Sequence, residues 1–269
     1  MKNILLVDTC YTVFFRFNAT KRWFSLAHAE EYVKINDDRW LDNSIFKEKY
    51  QEMFMKGFEK HIKKFKIDEI IWAQDDATQN VWRTKLYPEY KAGRNENITC
   101  KSDQVFTFTY NEFLPKLFKT HKLKTIKENT AEADDIIAIA ARYFSLQGHN
   151  VFIVSSDTDL VQLVNDKIKI YDLKMKEVAP KISADMDLKL KIITGDKTDN
   201  IPAIKPKVGK KTGEKLLYNQ EELNKLLLDQ TINQRFLMNK LLIDLTMIPS
   251  ELSKKITNKV KKINDQLKN

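Results

Sequence analysis

Acidic side chains in this sequence recur where short apolar runs end, and their type and spacing suit the binding of cations. Asp8 directly follows one run rich in Leu, Ile and Val, Asp75 follows a second, and Asp157 follows a third. Acids of this kind fall at four separate junctions between a strand-like run and a helical pattern. The full set of such acids is Asp8, Asp75, Asp76, Glu132, Asp134, Asp135, Asp157, Asp159, Asp196 and Asp199.

Carboxylates at these junctions predict metal-dependent chemistry. If the apolar runs are parallel strands, Asp8, Asp75 and Asp157 meet at the edge of the sheet where such folds bind ligands. Like charges that close repel each other unless cations neutralise them, and Mg²⁺ or Mn²⁺ is suited to oxygen ligands. Two such ions would hold the attacking and leaving oxygens of a phosphodiester. Each aspartate taken singly is also a common turn former or helix N-cap, but their joint occurrence favours a metal site.

A basic and aromatic segment, VWRTKLYPEYKAGR, provides candidate contacts to nucleic acid. Lys85, Lys91 and Arg94 have the charge to hold phosphate. Trp82, Tyr87 and Tyr90 offer rings on which bases can stack. A solvated loop whose aromatic side chains enter the core remains the alternative.

A second basic segment, IPAIKPKVGKKTGEKLL, combines a glycine with many lysines ahead of a predicted helix. Backbone N–H groups of a glycine turn at a helix N-terminus bind anions. The segment therefore predicts a phosphate contact, with an exposed lysine-rich turn as the alternative. The residues concerned are Lys205, Lys207, Gly209, Lys210, Lys211 and Lys215.

The periodicity of apolar residues predicts the strands and helices that must position these side chains. Short runs rich in Ile and Val alternate with helical stretches, which predicts an α/β fold with a mostly parallel sheet. The segment 87–111 has no clear period, as is typical of a functional connection. After about residue 184 only helical patterns remain, which predicts a helical subdomain. The predicted strands are Ile4 to Val7, Glu69 to Ala73, Lys122 to Ile126, Val151 to Ser155 and Ile168 to Tyr171.

Composition limits the class of protein. The chain has 269 residues, of which 42% are hydrophobic and 31% charged, values typical of a globular protein. No apolar run reaches transmembrane length, and the first residues do not match a secretory signal, so an intracellular location with no membrane partner is expected. Lys and Arg number 46 against 37 Asp and Glu, a net charge of +9 that suits a polyanionic partner. The two cysteines, Cys10 and Cys100, lack zinc-ligand spacing.

Four motifs occur in order between about Ile4 and Leu217: LYPEYKAGR, AEADD, SSDTDLVQLV and GDKTDNIP. Together they resemble motifs of the flap endonuclease and 5′-3′ exonuclease family, which includes bacterial polymerase-associated and phage ribonuclease H-type 5′ nucleases. The first resembles the basic motif of that family and the second its paired-acid motif. The third resembles its aspartate motif, and the fourth resembles the signature that opens its helix-three-turn-helix. The last two are quite specific.

The resemblance implies a PIN-like twisted, mostly parallel sheet with flanking helices, over residues 1–183, with an arch or basic loop at about 83–111. It also implies a helical DNA-binding subdomain over 184–269, with a helix-three-turn-helix at about 195–228. The expected activity is hydrolysis near the 5′ ends of DNA that carries a flap, nick or primer, with two divalent ions, Mg²⁺ or Mn²⁺. The family's helix-three-turn-helix often holds K⁺. An RNA–DNA hybrid and replication proteins, such as a single-stranded-DNA-binding protein or a clamp, are further expected partners.

The resemblance also assigns roles to residues. Lys91 and Arg94 would steer the scissile phosphate as catalytic residues. DNA contacts would come from Arg83, Lys85, Tyr90, Lys205, Lys207, Gly209, Lys210 and Lys211. Metal ligands, direct or through water, would be Asp8, Asp75, Glu132, Asp134, Asp135, Asp157, Asp159, Asp196 and Asp199.

The chain departs from the family pattern at several positions. If residues are counted back from YKAGR without a gap, the family's metal ligand falls on Asp76. The apolar run before these acids and the spacing to WR favour Asp75 instead, and we retain Asp75 as the predicted ligand. Ala203 and Pro206 stand where the family usually has glycines. Two other classes of protein remain open. The first is a haloacid-dehalogenase-like phosphohydrolase, but that fold needs a second Asp at the position where this chain has Cys10. The second is a catalytically silent DNA-binding protein.

Overall fold

The structure is a computed structural model that describes residues 1–35, 39–92, 103–121 and 123–268. Arg94, Cys100 and part of the predicted arch at 83–111 lie outside these residues. Among the helices in the described ranges, none is both long and apolar enough to cross a membrane.

The centre of the fold is one five-stranded sheet in which every pair of neighbours is parallel. The strand order is β3-β2-β1-β4-β5, so the first strand lies in the middle. Asp8 pairs with Ala73, and Val7 with Val154, so the ends of β1, β2 and β4 meet at one edge. The strands are β1 Asn3–Asp8, β2 Glu69–Gln74, β3 Lys124–Lys127, β4 Asn150–Val154 and β5 Ile168–Tyr171.

Helices cover both faces of this sheet and make up the rest of the regular structure. They are α1 Thr9–Ala27, α2 Ala29–Tyr32, α3 Ser44–Met55, α4 Glu59–Phe65, α5 Trp82–Leu86, α6 Asp103–Phe108, α7 Leu114–His121, α8 Ala133–Leu146, α9 Ala184–Thr194, α10 Lys210–Tyr218, α11 Gln220–Leu226, α12 Gln230–Ile243 and α13 Ser250–Lys268. A π-helix, Thr109–Phe113, joins α6 to α7, and short 3₁₀ turns include Thr158–Leu163.

Two apolar cores lie on opposite faces of the sheet. One is formed with α8, whose Ile137 and Phe144 are completely buried. The other is rich in aromatic side chains of α1 and α3, among them Phe17, Phe46 and Tyr50. Because both faces are covered, the central strands are continuous apolar runs, which is why they can be identified in the sequence.

The last helix, α13, belongs to the core of the sheet. Its apolar residues recur every three or four positions, and Ile256, Val260 and Ile263 join the cluster formed around α8. Helices alone follow β5 in the described chain, as predicted. The division at residue 183 stays a prediction, but α13 shares its core with the α/β body instead of with the other late helices.

Candidate active site

Asp8 is fixed at the end of β1 by hydrogen bonds to both of its oxygens. It caps α1, where Oδ1 accepts from the Tyr11 backbone N–H at 3.0 Å. Oδ2 accepts from the hydroxyl of Ser155 at 2.9 Å. Burial raises the pKa of Asp8 to about 7, and the negative charges of Asp75 and Asp157 add to this effect. Asp8 therefore faces other carboxylates across the strand ends.

Asp75 and Asp134 complete a first group of acids with Asp8 and Asp157. Asp75 accepts from the Ala133 backbone N–H at 2.9 Å through Oδ1, while its Oδ2 is buried without a hydrogen-bond donor among the described residues. Burial raises the pKa of Asp134 well above its usual range, and the charges of Asp157 and Asp8 raise it further. Burial likewise raises the pKa of Asp75. A buried, unpartnered carboxylate oxygen among mutually repelling acids fits a bound divalent cation, for which oxygen is the preferred ligand.

The crowding of these acids has a consequence for stability. Asp8 ionises near 3.8 in an unfolded chain but near 7 in the folded, metal-free protein, so between these pH values the folded state holds the extra proton. The metal-free protein in EDTA should therefore lose stability as the pH rises from 5 to 8. Melting temperatures across this range would measure the slope. Asp8→Asn should flatten it, and a wild-type slope of opposite sign would contradict the placement of these acids.

A second group of acids is formed by Asp159, Asp196 and Asp199. Each offers one oxygen, and these oxygens lie within 4.8 Å of one another. Asp196 follows Gly195, which has φ +69° and lies so close to Ile201 that a Cβ would be 2.3 Å from its carbonyl oxygen. Glycine is therefore needed at this turn, which brings Asp196 and Asp199 together.

Lys191, which the sequence analysis did not select, lies within this second group. Its ammonium makes an ion pair with Asp159 and lies 2.6 Å from Oδ2 of Asp196. Burial raises the pKa of Asp196, but Lys191 outweighs it and leaves that pKa below its ordinary value. Its position in the last helical turn before the GDKTDN motif is the only sequence signal for this role. Ser155, the first residue of SSDTD, was also missed.

Tyr90 and Lys91 connect the two groups through Glu132. The Tyr90 hydroxyl lies 3.1 Å from Oε2 of Glu132 and 3.1 Å from Oδ2 of Asp199. Lys91 forms an ion pair with Glu132, and its Nζ is 4.0 Å from Oδ2 of Asp199. Its backbone N–H also donates to the Asp199 carbonyl at 2.9 Å. The positive charge of Lys91 also opposes the rise in the pKa of Asp75 and of Asp134, so it acts on both groups of acids and lies between them.

Arg83 is buried next to Glu132, and this position contradicts its predicted contact with DNA. Only 2% of Arg83 is exposed. Its guanidinium donates to Glu132 at 2.7 Å and to the Leu242 carbonyl at 2.8 Å, and it forms an ion pair with Asp135 at 2.8 Å. Burial lowers the pKa of Arg83, but the two carboxylates outweigh this and raise it. Tyr90 is likewise buried, with its hydroxyl directed at carboxylates, so it does not present a ring to DNA.

Asp135 does not share the surroundings of the other acids. It is completely buried, and its Oδ2 accepts from the Trp82 indole at 3.0 Å and from the Glu132 backbone N–H at 3.1 Å. Its Oδ1 forms an ion pair with Arg83 at 2.8 Å but accepts no aligned hydrogen bond from the described residues. The geometry therefore favours a role for Asp135 in holding Arg83, and the metal role of Asp135 stays a prediction.

Asp76 differs from its neighbour Asp75. Its two oxygens accept from the backbone N–H groups of Thr130 and Ala77, each at 2.8 Å. These bonds lower the pKa of Asp76, the one from Thr130 most strongly. Asp76 therefore stabilises a turn, and the geometry favours Asp75 as the candidate ligand.

The lysine-rich turn places its charges on the surface. Gly209 precedes α10, and within the described ranges no side chain caps this helix and a Cβ at Gly209 would meet no other atom within 4 Å. Lys207, Lys210 and Lys211 are exposed, whereas Lys205 is half-buried. The predicted DNA contacts of this turn are therefore accessible, as is Lys85.

Comparison with known proteins identifies relatives of this chain. Ribonuclease H of Enterobacteria phage T4 is 29% identical over 209 residues, covering 70% of this chain and 68% of the relative. DNA polymerase I of Rhizobium leguminosarum is 33% identical, over 56% of this chain and 15% of the polymerase. A 5′-3′ exonuclease of Buchnera aphidicola is 31% identical, over 51% of this chain and 48% of that protein. The chain thus spans only part of some relatives.

The fold of this chain is also similar to the folds of solved structures. A bacteriophage T5 D15 flap endonuclease, in a complex with DNA and metal ions, superposes with a TM-score of 0.71 at 19% identity, covering 98% of this chain and all of the other. A T5 5′-exonuclease with bound zinc superposes with a TM-score of 0.70. These likenesses confirm the predicted α/β architecture. Residues 3–191 match the model of the 5′-3′ exonuclease N-terminal, resolvase-like domain, so this chain belongs to the 5′-3′ exonuclease family.

Proposed function

We propose that this protein is a structure-selective 5′ nuclease that hydrolyses phosphodiester bonds near the 5′ ends of branched, nicked or primer-containing DNA. The observation that carries the proposal is the pair of carboxylate groups with Lys91 between them. Family membership supports it, and the net charge of +9 suits a polyanionic substrate.

The two groups of acids would hold two divalent ions, Mg²⁺ or Mn²⁺. Asp8, Asp75, Asp134 and Asp157 would form one site, and Asp159, Asp196 and Asp199 the other. When bound, such ions supply Lewis-acid stabilisation of the phosphate and lower the pKa of water. The proposal does not depend on K⁺ near Ala203 and Pro206, which stays a separate prediction.

The chain's own residues would orient the phosphate. The ammonium of Lys91 is held by Glu132 and directed between the two groups, where it can bind a phosphate oxygen. Arg83 fixes Glu132 from beneath, so the position of Lys91 is set before substrate arrives. A positive charge placed in advance where negative charge develops is an effective means of stabilising a transition state.

The lysine-rich turn would bind the duplex away from the cut. Its exposed lysines and the N-terminus of α10 present positive charge that binds phosphates independently of base sequence. The same surface would accept DNA with a 5′ flap, a nick or a primer, including an RNA–DNA hybrid. A single-stranded-DNA-binding protein or a clamp would be a further partner on replicating DNA.

Cleavage of end-labelled substrates tests the proposal most directly. The protein with Mg²⁺ should cut flap, nicked and RNA-primed duplexes near the 5′ end and leave a 5′-phosphate on the retained strand. EDTA should abolish cleavage, because it would remove the ions that the two groups of acids are proposed to hold and that would lower the pKa of the attacking water. Full activity in EDTA, or a covalent protein–DNA intermediate, would contradict the proposed mechanism.

Neutralising the exposed lysines of the turn should weaken binding without changing chemistry. In a Lys207→Ala, Lys210→Ala, Lys211→Ala variant, each lost phosphate contact should reduce the slope of log K against log salt by about 0.9. Binding titrations in Ca²⁺ at several salt concentrations would measure this slope. Saturated substrate should still be cut at a near-normal rate. An unchanged slope would mean that this turn does not hold the duplex.

A further inference from the structure

Lys191 is placed where a second metal ion would have to bind. Three carboxylates converge around it, and those of Asp159 and Asp196 are its direct partners. The lysine lies in the last turn of α9, so a helix and not a loop fixes the start of its side chain. Its ammonium supplies the counter-charge to Asp159 and Asp196 in the metal-free protein, while the charge of Lys91 lies 4.0 Å from Asp199.

An ammonium and a divalent ion compete for this position. The ammonium lies 2.6 Å from Asp196, so a cation bound by the same group of oxygens would lie close to it and be repelled. Binding of the ion therefore requires Lys191 to move away. A lysine has a flexible stem with a compact charge at its end, and such a movement costs it little.

The structure provides a place for the displaced side chain. A cavity of about 300 Å³ opens beside the second group of acids, lined in part by Asp159, Lys191 and Asp187. Asp187 is four residues before Lys191 on α9, the spacing at which helical side chains meet. Its Oδ2 accepts from the Lys181 backbone N–H at 2.6 Å, which holds the carboxylate in place.

We propose that Lys191 is a cationic placeholder that occupies the second ion site in the metal-free protein and must swing toward Asp187 before a divalent ion binds there. This inference rests on the proposed function for the assignment of the two ion sites. It means that the second ion binds more weakly than its three carboxylates alone would allow. The occupancy of this site then depends on the concentration of the divalent ion.

Titration of the metal-free protein with MnCl₂, without DNA, tests the proposal through binding and not activity. Calorimetry should resolve two sites in the wild type. In Lys191→Met the weaker site should gain affinity by about tenfold or more, because the competing charge is gone. Lys189→Met is the matched control: this exposed lysine lies on the same helix and pairs with Asp185, and its loss should change neither site by more than about twofold.

A second prediction concerns the melting temperature, and it does not require the Mn²⁺ affinities of the two sites to be measured separately. In EDTA, Lys191→Met should melt at a lower temperature than Lys189→Met, and excess MnCl₂ should restore more of the loss in Lys191→Met. Lys191→Gln, which keeps a polar side chain, provides a second variant if the first folds poorly. An unchanged or weaker second Mn²⁺ site in the folded variants would overturn the proposal.

The outcomes separate this inference from the proposed function. If the wild type binds two Mn²⁺ ions and cleaves flaps but Lys191→Met binds Mn²⁺ no more tightly, only the placeholder role fails. If Lys191→Met has unchanged Mn²⁺ affinities and weaker binding of DNA in Ca²⁺, Lys191 is a phosphate contact and the placeholder role is again overturned. If Lys191→Met gains Mn²⁺ affinity while the wild type cleaves no DNA, the nuclease proposal fails alone.

Discussion

Asp75→Asn should lower the rate of cleavage by about 10³ or more, while Asp76→Asn should leave it within about threefold of the wild type. The two aspartates are adjacent, and both substitutions remove a charge with little change of volume. Asp75 has a buried oxygen to which no group in the described part of the chain donates, and its charge acts on Asp8 in the first group of acids. A charge lost there removes several kcal/mol of transition-state stabilisation, and each 1.36 kcal/mol is a factor of ten.

Single-turnover cleavage of a flap substrate in Mg²⁺ would measure both rates. Binding of the same substrate in Ca²⁺ should be unchanged or tighter in Asp75→Asn, since a negative charge has left a surface that meets phosphate. Asp76 mainly accepts backbone hydrogen bonds that an asparagine oxygen can partly replace. A near-normal rate in Asp75→Asn, equal to that of Asp76→Asn, would show that Asp75 is a turn residue and that the proposed first site is wrong.

Lys91→Ala should slow the chemical step by about 10² to 10³ and change duplex affinity only slightly. Its side chain lies between the two groups of acids and is held there by Glu132 and by the backbone bond to Asp199. Such a fixed charge contributes when negative charge develops on the phosphate. Lys85→Ala, an exposed lysine of the same segment, is the control and should affect affinity alone.

Rates at saturating enzyme, together with the salt dependence of binding, distinguish these outcomes. A Lys91→Ala variant with a normal single-turnover rate and a shallower salt slope would show that Lys91 is a general phosphate contact. Arg94, the other predicted catalytic residue, lies outside the described residues, and its role stays a prediction.

The fold could be predicted from the sequence because its strands are buried on both faces. Each of the five strands lies within two residues of a predicted apolar run. Parallel strands end at one edge, so the meeting of Asp8, Asp75 and Asp157 followed from the order of elements. The prediction needed no knowledge of side-chain contacts.

The interior of the site could not be predicted in the same way. Arg83 appears in a basic, aromatic segment that looks exposed, but its partners Glu132 and Leu242 are 49 and 159 residues away. Lys191 meets Asp159 across 32 residues. A charge is buried only when distant groups compensate it, and a single sequence does not show which groups those are.

The hydrogen bonds of His149 tie the start of the sheet to the end of the chain. Its Nδ1 accepts from the Lys2 backbone N–H at 3.0 Å, and its Nε2 lies 3.2 Å from Oδ1 of Asn264 on α13. Because α13 also completes the core around α8, the sheet that carries the carboxylates lacks one of its packing partners until residues 250–268 have been synthesised. We therefore expect the acidic edge to acquire its final packing only after this helix has left the ribosome and docked.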